Sequence, residues 1–341
     1  MNNYFNSSKT LFFMLMLIST IFSLSSLSMI NMWMGMEVNL ISFIPIMINY
    51  KNNFSSESMM SYFLIQALSS VNFLFSFLML NYMTNWMNSQ FFNNLLIMVV
   101  MNLSLLMKMG AAPFHFWFPK TMKGLNWTNC LILSTWQKIL PMIALSYCFI
   151  NFILMTAAFF SALIGAILGL TQTSLQLIMA YSSINHISWM LMALMFSLKI
   201  WFTYILIYSI LNTVLMFIFK TMKMYNLNQM YSNKSFNLMS YFILFNFLSL
   251  SGLPPFIGFL PKWLLINLMA ENQFYFLVLF LISMSLINLF FYIRITYSYF
   301  LLNFYEIKFF NLQYIYFNLI SMITYTSLLG LLICPLIYLL S

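Results

Sequence analysis

Apolar runs, each close to twenty residues long, follow one another along almost the whole chain, separated by turns too short to form anything of their own. A run of that length spans the hydrocarbon core of a bilayer as a helix, and a helix satisfies its own backbone polar groups where no water is present to do so. Only 5% of the 341 residues are charged and 63% are apolar, whereas a soluble domain carries about 25% charge. With so few charges the chain cannot solvate a globular surface of its size, and no polar stretch is long enough to form a soluble domain. The sequence therefore predicts an all-α polytopic membrane protein forming a single membrane domain over residues 1–341.

Eleven helices are expected, over residues 10–28, 30–49, 58–82, 92–120, 126–149, 151–170, 173–197, 199–221, 237–270, 274–302 and 314–339. The N-terminal stretch MNNYFNSSK lacks the Arg-rich amphipathic pattern of an import signal, so the first helix is read as uncleaved. The formal charge of +9 does not imply nucleic acid, because the basic residues stand singly and mostly flank apolar runs. With the N-terminus inside, Lys9, Lys51, Lys120, Lys123, Lys220, Lys223, Lys234 and Lys308 all fall inside and only Lys199 outside. Such a bias sets orientation in the membrane. The absence of aspartate and the 32 methionines fit AT-biased coding of the mitochondrial kind. Cys130, Cys148 and Cys334 are too widely spaced for a zinc or iron–sulfur motif and read as small buried apolar residues.

Two of the expected helices are interrupted. The stretch LLMKMGAAPFHFWFPKTMKG, residues 105–124, places Lys108 inside an apolar run and follows it with Gly110, Ala111, Ala112 and Pro113. A charge at bilayer depth costs roughly 2.5–3.5 kcal/mol on insertion scales, and a broken helix frees backbone groups that need protein or water partners. The second break, SGLPPFIGFLPKW at residues 251–263, carries Gly252, Pro254, Pro255, Gly258 and Pro261, then Lys262. These breaks fall in the fourth and ninth helices, five apart, which run in opposite directions. Residues 10–149 and 151–302 are thus expected to be inverted five-helix repeats, each with a broken fourth helix, followed by one C-terminal helix. Paired broken helices of this kind point to a transport site near mid-membrane.

The residues that could carry chemistry are few. Glu37 is the sole acid in the middle of a span, and burial disfavours a carboxylate unless a cation stands near; Lys108 is its natural partner. Lys138 lies deep in STWQKILP, where snorkelling to the surface is difficult and a lysine can act by exchanging its proton. Lys262 follows the second break and reads either as part of the same device or as an interfacial lysine. His186, among Ser182, Ser183 and Asn185, reads equally as a hydrogen-bonded core residue or as a proton relay. His115 could cap carbonyls freed by the first break, and Arg294 sets a field without titrating. Nothing in the spacing pairs the two histidines on facing helices for haem. No phosphate loop, carboxylate cluster for a divalent metal or Ser-His-Asp set is found. The row Glu37, Lys108, Lys138, His186 and Lys262 is consequently expected to form a proton or cation path.

The ordered motifs GMEVNLISFIP (35–45), KMGAAPFHFWFPK (108–120), WQKILP (136–141), SSINHISWM (182–190) and LSLSGLPPFIGFLPKW (248–263) resemble the antiporter-like membrane subunits of mitochondrial respiratory complex I, in their insect form. This resemblance covers nearly the whole chain except the tail after about residue 300. It implies that Glu37 and Lys108 form the ion pair of a first half-channel, that Lys138 is the central lysine, that Lys262 serves the second half-channel and that His186 lies between. It also implies no cofactor in this chain, with NADH, FMN, iron–sulfur clusters and ubiquinone in partner subunits. The expected partners are other membrane-arm subunits (4L and 4 as neighbours), accessory subunits and membrane lipid such as cardiolipin. The implied setting is the mitochondrial inner membrane with the N-terminus on the matrix side. A free-standing cation/proton antiporter and a structural scaffold are the alternative readings.

Overall fold

A computed structural model describes residues 2–49, 52–86, 91–232 and 237–302. The expected helix over 314–339, together with Lys51, Lys234, Glu306, Lys308 and Cys334, lies outside the described residues. The described residues form helices α1 (Asn2–Leu24), α2 (Met29–Met47), α3 (Phe54–Trp86), α4 (Phe91–Met109), α5 (Trp117–Gly124), α6 (Trp127–Ser134) and α7 (Trp136–Cys148). They continue as α8 (Asn151–Leu170), α9 (Leu175–Phe196), α10 (Leu198–Met222), α11 (Leu227–Ser232), α12 (Asn237–Ser251), α13 (Phe259–Glu271) and α14 (Tyr275–Leu302). Among these residues, seven helices are by themselves long and apolar enough to cross a membrane: α1, α2, α3, α8, α9, α10 and α14. The other apolar runs are each divided in two, so the number of crossings is not read from helix lengths alone.

Two divisions were expected and are wider than the residues that signal them. The first separates α4 from α5 and the second separates α12 from α13. Each begins with the same stop. Gly110 has φ +72° and Gly252 φ +80°, a left-handed conformation that glycine adopts without steric cost. The Gly110 and Ala111 amides donate to the Met107 and Leu106 carbonyls, and the Gly252 and Leu253 amides donate likewise to Ser249 and Leu248. This pair of bonds is the Schellman arrangement that closes a helix on a left-handed residue. Prolines then follow within three residues in both cases and keep the helix from resuming.

The third division corrects the expectation of one continuous helix over 126–149. The chain breaks at Thr135, whose φ of −115° and ψ of −68° join the end of α6 to the start of α7. Pro141, inside α7, has no N–H to give the carbonyl four residues earlier. The turn tightens ahead of it, with the Lys138 amide bonding Thr135 O. The interruption carries no glycine, which is why the apolar run looked unbroken.

The chain folds as two compact units that divide between Phe160 and Ser161, within α8. In the first unit α1 packs along α2, α3 packs on α4 and α5, and α7 lies against α4, α2 and α1. In the second, α12 packs on α14 and α10, α9 on α10, and α13 touches α9, α10 and α14. Helix α9 is the most enclosed of the spans, with 89% of its apolar window buried, and it carries His186.

Candidate functional site

In the first unit the end of α4 delivers Lys108 to the interior, where it is 6% exposed. Its Nζ lies 3.9 Å from Met36 Sδ on α2. The neighbouring Glu37 is half-buried, and its Oε1 is enclosed with no hydrogen-bond partner. The two charges sense each other electrostatically, but the direct ion pair expected of them is not closed. Met36 stands against the ammonium instead. The carbonyls freed by the break have neutral donors: Trp117 Nε1 bonds Met107 O at 3.0 Å, and Gln66 Nε2 bonds Lys108 O at 3.0 Å. His115 holds the Pro113 carbonyl at 3.2 Å and so serves the break.

Lys138 enters from the first turn of α7 and is 2% exposed. Its Nζ stands 4.8 Å from the centre of the Phe118 ring, a cation–π arrangement. Beside it, Gln137 joins a reciprocal amide pair with Asn39 of α2. Asn39 Nδ2 donates to Gln137 Oε1 at 2.9 Å, and Gln137 Nε2 donates to Asn39 Oδ1 at 3.2 Å. The hydroxyl of Tyr62, from α3, reaches the same Oε1 at 3.4 Å. This network ties the helix of Glu37 to the helix of Lys138 and was missed in the sequence. The signal was there in α3, where Ser58, Tyr62, Gln66 and Ser69 recur every three or four residues and are all buried.

In the second unit Lys262 is 5% exposed and does not snorkel. It donates to Ser251 O at 2.7 Å, across the break and onto the C-terminus of α12, where a positive charge meets the negative end of the helix dipole. Its Nζ also lies 5.4 Å from the Trp189 ring. His186, three residues before that tryptophan, pairs its Nδ1 with the Tyr204 hydroxyl at 2.8 Å and packs its ring 4.9 Å from Tyr208. A void of about 10 Å³ borders His186, Tyr204, Gly258 and Pro261, room for about one water. Arg294, by contrast, is exposed on α14.

The structure therefore gathers Glu37, Lys108 and Lys138 in one unit and His186 and Lys262 in the other. Among the described residues no group of three or more metal-ligating side chains is found.

The family model for the NADH:quinone oxidoreductase/Mrp antiporter transmembrane region matches residues 26–288. NADH-ubiquinone oxidoreductase chain 2 of Aedes aegypti is 46% identical over 339 residues, covering 97% of this chain and 98% of its own. The chain 2 protein of Anopheles gambiae is 46% identical over 87% of both chains. The chain belongs to the NADH-ubiquinone oxidoreductase chain 2 family. Solved structures agree on the fold of this chain 2 family member. A chain of respiratory complex I from Thermus thermophilus superposes with a TM-score of 0.83 at 21% identity, over 95% of this chain and 78% of that one. One from the Mrp complex of Dietzia sp. gives 0.74 at 15% identity, over 86% and 60% respectively.

Proposed function

We propose that this chain carries protons across the mitochondrial inner membrane as a membrane-arm subunit of NADH:ubiquinone oxidoreductase, with its N-terminus on the matrix side. The observation that carries the reading is the burial of three lysines beside breaks in apolar helices: Lys108, Lys138 and Lys262 are all less than 7% exposed. A scaffold has no use for ammonium groups that are costly to hold at membrane depth. A proton path needs them.

In the first unit Glu37, Lys108 and Lys138 exchange protons. In the second, Lys262 passes its proton toward His186. The tyrosine-lined void beside His186 has the size for a connecting water. Residues 10–149 and 151–302 act as inverted repeats, each contributing one half-path. NADH, FMN, the iron–sulfur clusters and ubiquinone belong to partner subunits, and the neighbours are other membrane-arm subunits, with 4L and 4 flanking this one. Lipid such as cardiolipin fills the remaining apolar surface.

The test is Lys108→Met in the assembled complex. Native electrophoresis with in-gel NADH oxidation establishes assembly, and proton uptake by sealed vesicles measures coupling. We expect normal assembly with proton transfer per NADH reduced and turnover lowered several-fold. Wild-type values for both would remove Lys108 from the path. The likeness to an Mrp chain supports a second reading, a free-standing cation/proton antiporter. Migration of this chain as a small band without NADH dehydrogenase activity would favour it.

A further inference from the structure

A recess of about 400 Å³ opens beside the first turns of α3, lined by Phe54, Glu57, Ser58, Ser61, Lys120, Lys123 and Gly124. Its rim carries three exposed charges, Glu57, Lys120 and Lys123, as only the water-facing end of a span does. Its inner wall is different. Ser58 is buried, and one helical turn further along α3 on the same face is Tyr62, 2% exposed. The Tyr62 ring lies 5.8 Å from Trp117 of α5 and 5.4 Å from Phe43 of α2. The same two helices that form the recess, α3 and α5, thus close around this tyrosine.

Three observations set Tyr62 apart from a core tyrosine. Its hydroxyl shares Gln137 Oε1 with the amide of Asn39, two residues along α2 from Glu37. Its hydrogen bond to Gln137 Oε1, at 3.4 Å, is longer than the 2.5–3.0 Å of an ordinary O–H···O bond. The nearby Glu37 Oε1 is enclosed without a donor, although a buried acceptor left unpaired is costly.

We propose that the recess is the aqueous mouth of the first unit's proton path and that Tyr62 is the hydroxyl relay between it and Glu37. This rests on the proton-path reading of the chain. A hydrated proton in the recess passes to the phenol oxygen, leaving water behind, as the phenol releases its own proton toward the Glu37 carboxylate, which becomes a neutral carboxylic acid. Rotation of the hydroxyl then restores it, and the tyrosine is left unchanged in charge and covalent structure. The Asn39–Gln137 amide pair ties α2 to α7 beside the hydroxyl, and Glu57 is the carboxylate among the residues lining the recess.

Tyr62→Phe keeps the ring between Phe43 and Trp117 and removes only the hydroxyl. In vesicles containing the assembled complex we expect wild-type assembly, turnover and proton uptake lowered several-fold, and a changed dependence of uptake on the pH of the recess side. A purely structural hydroxyl would leave that pH profile unmoved. Ser61→Cys provides the independent check: a bulky, membrane-impermeant thiol reagent added to the matrix face should block proton uptake in this variant and not in the wild type. Full uptake in Tyr62→Phe, or in labelled Ser61→Cys, overturns the proposal. Lys108→Met separates the two levels. If Lys108→Met loses pumping while Tyr62→Phe does not, the entry route is wrong and the proton path stands. If Lys108→Met pumps normally, the path itself fails.

Discussion

Gly252 and Gly110 have nearly the same backbone conformation but different neighbours, and the difference decides what an alanine does at each. Either substitution forces an L side chain into the left-handed region, at about 1–2 kcal/mol. At Gly110 the new Cβ would meet Phe118 Cβ at 3.0 Å. At Gly252 it would sit 2.8 Å from Lys262 Cδ and 3.2 Å from Nζ, so the end of the lysine side chain that holds Ser251 O must shift. We expect both variants to lower the thermal stability of the assembled complex, and Gly252→Ala alone to lower proton uptake beyond what its reduced assembly accounts for. Equal uptake per assembled complex in the two would show that the Lys262 position is tolerant. The candidate residues themselves were legible in the sequence because a charge within an apolar run is too costly to keep unless the chain uses it. Their partners were not. That Lys108 meets Met36 before Glu37, and that Lys138 stands over Phe118, depends on side-chain directions across helices distant in sequence, which no local pattern encodes.

The broken helices show where the sequence speaks and where it is silent. Gly110 and Gly252 followed by proline announce a stop, since one supplies the left-handed residue and the other cannot continue a helix. The stop at Thr135 has no such residue at its own position, and Pro141, six residues on, removes only the donor to the Gln137 carbonyl. How each break is satisfied is also invisible in sequence. Around the first, neutral donors from Trp117 and Gln66 take the carbonyls. At the second, the charged Lys262 does so. Lys262 therefore has two duties, and two substitutions separate them. Lys262→Met leaves Ser251 O unpaired in the interior, which costs about 1–3 kcal/mol, and removes the titrating group. Lys262→Arg keeps a cationic donor for the carbonyl but does not titrate. We expect the methionine variant to lose both assembly, seen on native gels, and proton uptake. The arginine variant should assemble and fail to pump. Pumping by the arginine variant would mean that a fixed charge suffices at this position.

At the scale of the whole molecule, the distribution of exposed residues bears on the proposed orientation. Ile18 and Ile21 on α1, Leu68 and Val71 on α3, and Phe276 and Leu279 on α14 are all more than 60% exposed, a surface for lipid or neighbouring subunits rather than water. The exposed lysines avoid this belt and collect at helix ends. Helix α10 contains the argument within one element. Lys199 begins it, and Lys220 and Lys223 end it, all three exposed. The 21 helical rises from Lys199 to Lys220 span about 32 Å of helix, close to the roughly 30 Å thickness of the hydrocarbon core, so the two lysines belong to opposite faces of the membrane. Under the proposed orientation, with the excess of basic residues in the matrix, Lys220 and Lys223 would face that side, and the same rule assigns Lys120 and Lys123 to it. An amine-reactive, membrane-impermeant reagent applied to sealed vesicles of either orientation, followed by mass spectrometry of the chain, should mark Lys120, Lys123, Lys220 and Lys223 from the matrix face and Lys199 from the other. Labelling of Lys199 and Lys220 from the same face would contradict α10 as a simple span. Labelling of Lys120 with Lys199 instead of with Lys220 would invert the first unit and turn the recess away from the side on which protons are taken up, and the entry route through Tyr62 would fail with it.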